Sequence, residues 1–202
     1  MPIYEGSSIY YTDGDGVENF ELSNGVKISS GGRLENCINF ASFAKTNEVK
    51  DKIITLILEN GLSCSYDDFD ENGFVHQSTG LSDYFYCYVG ANPDSSWLRF
   101  YLSVRSYNWI FADSLTISNG IEKYEVSDLY FSFNRNAYGS SVYESVDISV
   151  SKELESVLRK SLETRTLKVR VRGDDGRKDI EFSEADFKGL ESILQIYDLF
   201  QQ

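Results

Sequence analysis

The sequence predicts an α+β fold, with antiparallel β-sheets and about three amphipathic helices. Three observations carry this. Aromatic residues make up 14% of the chain, mostly Tyr and Phe, which favour pleated, half-buried strands. Several segments alternate apolar and polar residues with a period of two. Helical periodicity is confined to a few stretches that interrupt and follow runs of strands, rather than alternating with them one by one.

The N-terminal third opens with strand-like segments at 8–12 and 17–22 and a shorter one at 26–28. Asp13-Gly14-Asp15-Gly16 and Asn24-Gly25 separate them as turns, since Asn and Gly tolerate positive φ. Ser29-Ser30-Gly31-Gly32 reads as a loop. Residues 34–44 fit strand or helix equally. A helix follows, capped by Thr46 or Asn47, with Val49, Ile53, Leu56 and Ile57 on its apolar face and Asn60-Gly61 at its end.

Strands are expected at 62–66 and 83–89, and residues 90–96, containing Asn92-Pro93-Asp94, as a loop or linker. That stretch divides the chain into a candidate acidic N-terminal subdomain, 1–90, and a β-sheet subdomain with C-terminal helices, 97–202. In the second, Leu98, Phe100, Leu102 and Val104 alternate with Arg99, Tyr101, Ser103 and Arg105. Further strands are expected at 109–118, 121–126, 129–133 and 142–150, with Asn119-Gly120 as a turn. Ser151 begins a helix with Leu154, Val157, Leu158 and Leu162 on one face. Leu167, Val169 and Val171 alternate as a strand, Asp174-Asp175-Gly176 turns the chain, and 180–182 returns. Ser183 and Asp186 form a capping-box pattern for a last helix carrying Phe187, Leu190, Leu194 and Tyr197.

Charge narrows function. Nineteen basic residues face 32 acidic ones, a net of −13. Residues 1–100 hold 6 basic and 15 acidic residues; residues 101–202 hold 13 and 17. Such a chain repels nucleic acid and anionic membrane and attracts basic proteins or cations. The three cysteines, Cys37, Cys64 and Cys87, are widely spaced and odd in number, which fits reduced thiols better than a disulfide scaffold or a zinc knuckle. The opening Met1-Pro2-Ile3-Tyr4-Glu5 has neither the basic nor the apolar region of an export signal, so a cytoplasmic location is expected.

Catalytic patterns are sparse. His76 is the single histidine, so any Ser–His or Cys–His arrangement would have to use it. Neither a GxxxxGK[ST] loop nor a GxGxxG before a helix occurs. No enzyme activity is expected, although a carboxylate-based hydrolase or a structural subunit would leave similar traces in sequence.

Three constellations stand out. Asp67-Asp68-Phe69-Asp70-Glu71-Asn72-Gly73 places Asp68, Asp70 and Asn72 at the alternating oxygen spacing that opens a calcium loop, with Gly73 at the turn. The twelfth position is Thr79 rather than a bidentate acid, so a plain acidic turn is the competing reading. Tyr84, Tyr86 and Tyr88 share one strand face, a pattern that suits a contact surface as well as a second buried layer. Lys168, Arg170 and Arg172, with Arg165, Arg177 and Lys178 nearby, form a basic row that either binds anions or pairs with Asp179 and Glu181.

The expected function is that of a non-enzymatic binding protein. It would be an acidic inhibitor docking on a basic, nucleic-acid-binding protein, as immunity and anti-defence proteins do. Asp67, Asp68, Asp70, Glu71, Tyr84, Tyr86 and Tyr88 are its candidate contact residues. No cofactor is expected. The alternative is a calcium- or carbohydrate-binding surface module using Asp68, Asp70 and Asn72.

Overall fold

The computed structural model describes residues 9–12, 18–21, 27–30, 34–77 and 83–202. The fold is α+β, with four helices and antiparallel sheets of six and four strands among the described residues. Three short strands, β1 (Ile9–Thr12), β2 (Glu18–Glu21) and β3 (Lys27–Ser30), form a further antiparallel sheet in the order β1-β2-β3. The turns expected at 13–16 and 24–25 lie outside the described residues.

Residues 34–44, ambiguous in sequence, begin as helix α1 (Leu34–Ala41), which makes four helices among the described residues where about three were expected. Leu34, Cys37, Ile38 and Ala41 recur at three- and four-residue spacing and are all buried, and Phe40 joins them. Helix α2 (Asn47–Glu59) starts where the sequence placed it. Thr46 Oγ1 accepts the Val49 N–H at 3.3 Å, satisfying a donor that the helix itself leaves free. Gly61, just past its end, has φ of +60°, a conformation that costs glycine little. The buried face is Ile53, Ile54 and Ile57.

Strands β4 (Ser63–Asp67), β5 (Asn72–His76), β6 (Tyr84–Ala91) and β7 (Ser96–Ser106) follow. Residues 90–96, expected as a loop or linker, form the connection between β6 and β7. They hold the end of β6, a turn and the start of β7. Asn92 Oδ1 accepts the N–H groups of Asp94 and Ser95 at 3.0 and 2.8 Å, an Asx turn that reverses the chain within four residues.

After β8 (Ala112–Ser118) and β9 (Lys123–Val126), one expectation is corrected. Residues 129–133 form a helical turn rather than a strand, with the Phe133 N–H donating to Leu129 O at 3.1 Å. Leu129 and Phe133, four residues apart, are the buried pair, while Phe131 is 96% exposed. Apolar residues at 129, 131 and 133 imitate strand alternation, but the i,i+4 pair decides the conformation. The strand comes next, as β10 (Asn134–Tyr138), paired with β11 (Ser141–Ser149). Residues 109–111 also precede β8 rather than belonging to it.

Helix α3 (Lys152–Thr164) is capped by Ser151 Oγ, which accepts the Leu154 N–H at 3.2 Å. Strands β12 (Lys168–Gly173) and β13 (Gly176–Glu181) lead into α4 (Glu184–Phe200). Its capping box closes as the sequence predicts. Ser183 N–H donates to Asp186 Oδ2 at 2.8 Å, and Asp186 N–H donates to Ser183 Oγ at 3.4 Å.

The larger sheet runs β10-β11-β7-β6-β5-β4 and the smaller β13-β12-β8-β9. The chain forms two compact units. One comprises Met1–Ser78, Val89–Trp97 and Ser192–Gln202; the other comprises Thr79–Tyr88 and Leu98–Glu191. The first is centred on Leu34, Phe40, Ile53, Ile57 and Val75, with the Phe40 and Phe200 rings edge to face at 5.3 Å. The second buries Phe100, Leu102, Leu115, Ile117, Leu158 and Val169, with α3 lying against β8 and β9. No helix among the described residues is long and apolar enough to cross a membrane.

Candidate functional site

The acidic stretch forms the tip of a β-hairpin. Asp67 pairs with Asn72 at the end of the β4–β5 ladder, so residues 68–71 project beyond it. Asp67 Oδ1 accepts the Phe69 and Asp70 N–H groups at 2.9 and 3.4 Å. Glu71 adopts φ of +49°, which turns the chain back into β5. Side-chain acceptor and left-handed residue together fix the tip.

Asp67, Asp68, Asp70 and Glu71 are all exposed. Between them stands Phe69, 95% exposed. Sequence reasoning took the carboxylates and passed over this ring. Its signal was an aromatic residue inside a polar turn, where neither turn chemistry nor strand alternation calls for one. Asn72 belongs to the ladder, and no group of three or more His, Cys, Asp or Glu side chains among the described residues is arranged to hold a metal ion.

The tyrosine row belongs to the other compact unit. Along β6, Phe85 and Cys87 point into the core at 4% and 0% exposure, and Tyr84, Tyr86 and Tyr88 occupy the opposite face, half-buried. The period of two dictates this once Phe85 is inside. Tyr101 of β7 joins them, its ring 5.9 Å from Tyr84 and 5.3 Å from Tyr86 in stacked geometry. Tyr84 and Tyr86 stack at 6.0 Å.

The row ends in a polar clamp. Tyr88 Oη donates to Asp147 Oδ2 at 2.5 Å, and Arg99 Nε donates to Asp147 Oδ1 at 2.9 Å. Burial, followed by the neighbouring Tyr101 and Tyr84, pushes the Tyr86 hydroxyl well above the usual phenol range. Burial, followed by the Asp147 carboxylate, does the same to Tyr88. The rings spend much of their area on each other, so the face is a packed aromatic layer with polar edges. Tyr107 and Tyr138 are 82% and 81% exposed.

Lys168 and Arg170 of the basic row pair across their own sheet, while Arg172 lies opposite Arg177. Lys168 meets Glu181 at 2.7 Å, Arg170 holds Asp179 through two hydrogen bonds of 2.7 and 2.6 Å, and Arg165 meets Glu184 at 2.5 Å. Lys178 meets Asp83 at 2.6 Å. A shallow groove of about 310 Å³ over this sheet is lined by both signs of charge, including Lys123, Glu125 and Arg172. His76 Nδ1 lies 2.7 Å from Gln77 O. Cys37, Cys64 and Cys87 are all buried, and none is in a disulfide. No protein-family model, curated protein or solved structure matches this chain.

Proposed function

We propose that this is a non-enzymatic binding protein of the cytoplasm, an acidic antagonist that docks on a basic, nucleic-acid-binding protein through the β4–β5 hairpin. The observation that carries the reading is Phe69, 95% exposed and flanked by four exposed carboxylates on a tip held by Asp67. A bare aromatic ring on a surface has a cost in water and gives its return when a partner pocket covers it; aromatic anchors of this kind dominate interface energies. The carboxylates around it select a pocket with a basic rim. A nucleic-acid site is such a rim, and occupying it with Asp68, Asp70 and Glu71 displaces phosphates by like charge. The net charge of −13 supports fast, salt-sensitive encounter.

The test is affinity capture from lysate at low and high salt, with wild-type, Phe69→Ala and Asp68→Asn/Asp70→Asn/Glu71→Gln baits in parallel. The reading expects a basic nucleic-acid-binding protein on the wild-type bait at low salt, weakened at high salt and lost from both variants. Nucleic acid should compete with it. Equal retention on all three baits, or no basic protein on any, overturns the reading.

A further inference from the structure

Cys37 lies on the buried face of α1 and Cys64 in β4, 27 residues apart in sequence, yet their Sγ atoms are 3.0 Å apart. A disulfide bond is about 2.05 Å long, so closing roughly 1 Å would join them. Both are almost wholly buried, at 4% and 6% exposure. Among the described residues no third His, Cys, Asp or Glu joins them as a metal site. The chemistry that two thiols share at this separation is oxidation.

We infer that Cys37 and Cys64 are a latent disulfide, closed by thiol–disulfide exchange with a low-molecular-weight disulfide such as oxidised glutathione. One protein thiolate attacks the reagent's S–S bond, giving a mixed disulfide and releasing one small thiol. The other thiolate attacks the protein sulfur of that mixed disulfide and expels the second small thiol. Two electrons pass from the protein to the reagent, and the two protein thiols give up their protons.

Exchange is slow in the folded chain for a physical reason. The contact with Cys37, together with burial, pushes the Cys64 thiol far above the ordinary cysteine value. Little thiolate exists while the pair stays covered. Reaction therefore waits on local opening, and the site offers a route. β4 is the last strand of its sheet, and α1 is only eight residues long. Once formed, the bond staples α1 to the strand that leads into the hairpin tip. Cys87, fully buried in β6, serves as an internal reference.

The test uses the full reduced chain, equilibrated across a series of oxidised-to-reduced glutathione ratios at mildly alkaline pH. Samples are quenched in acid, unfolded, alkylated and mapped by mass spectrometry. The expected result is a fall from three alkylated cysteines to one, with a linked Cys37–Cys64 peptide and Cys87 alkylated. The Cys87→Ser variant should keep the link. Cys37→Ser should replace it with a glutathione adduct on Cys64, and unfolding the chain in urea before oxidation should abolish the preference for this pair. Three alkylated cysteines at every ratio, stable glutathione adducts in place of the link, or a link involving Cys87 overturns the inference.

Discussion

Arg135 and Glu144 face each other across the β10–β11 hairpin, Nε to Oε1 at 3.1 Å, with the glutamate only 1% exposed. The carboxylate also accepts the Ile110 N–H at 2.7 Å and the Ala112 N–H at 2.9 Å. Arg135 in turn donates to Ala112 O and Tyr130 O and lies over the Tyr130 ring. A buried charge persists only when paired and fully hydrogen-bonded, and here one glutamate also satisfies two backbone donors of the segment entering β8.

Glu144→Leu should therefore destabilise by about 3–5 kcal/mol, since it strands a guanidinium and orphans two N–H groups. Arg135→Met/Glu144→Leu should recover only part of that, because the Ile110 and Ala112 N–H groups remain unsatisfied. Urea unfolding of both variants checks this. A double variant as stable as wild type would mean that the backbone donors contribute nothing.

The same segment tests close packing. Phe111 sits at φ of +53°, and a Cβ on Gly173 would fall 2.3 Å from Phe111 O and 2.4 Å from Ile110 O. Those are backbone atoms already committed to the turn, so Gly173→Ala should cost about 1–3 kcal/mol or more. Gly61→Ala meets open space and should cost only the strain of its left-handed φ, roughly 1–2 kcal/mol. Thermal unfolding should rank Gly173→Ala as the worse of the two; the reverse order would contradict the packing argument.

The tyrosine row makes a prediction in alkali. Raised folded-state values for Tyr86 and Tyr88 mean that folding favours their neutral forms. That stability is fully present below the unfolded phenol value of about 10 and is lost as pH rises through the higher folded values. Spectrophotometric titration should show exposed tyrosines ionising first and a late component that appears with unfolding. Tyr86→Phe should shrink the late component and leave the early one intact. A single titration near the ordinary phenol value would show that the row is not buried in solution.

Much of this architecture was legible because it rests on local rules. Thr46, Ser151 and Ser183 cap helices where a short polar side chain precedes an apolar period, and the alternation in β7 and β12 sends the apolar residues to the buried face. Other features depend on partners distant in sequence. The 129–133 segment resembles a strand until Leu129 and Phe133 are both seen to be buried. Glu144 looks like one acid among 32 until its donors arrive from residues 110 and 112. Cys37 and Cys64 gave no spacing signal, because a helix and a strand bring them together. At the hairpin the acids stand out, whereas Phe69 signals itself only as an aromatic residue in a polar turn, and no local rule says that such a side chain will be left bare.

Phe69 therefore offers the sharpest separation of stability from binding. At 95% exposure its ring makes little contact within the folded chain, so Phe69→Ala should change folding stability by no more than about 0.5 kcal/mol. If the ring is the anchor of an interface, the same change should weaken partner capture by about tenfold or more, in the range of aromatic interface anchors. Asp67→Ala should act differently. It removes the acceptor for the Phe69 and Asp70 N–H groups, so it should loosen the tip and weaken capture even though Phe69 is still present. Hydrogen exchange at Phe69 and Asp70 would register that loosening directly. Undiminished capture by both variants, with exchange unchanged in Asp67→Ala, would move the search for the contact surface away from the hairpin and toward the exposed Tyr107 and Tyr138.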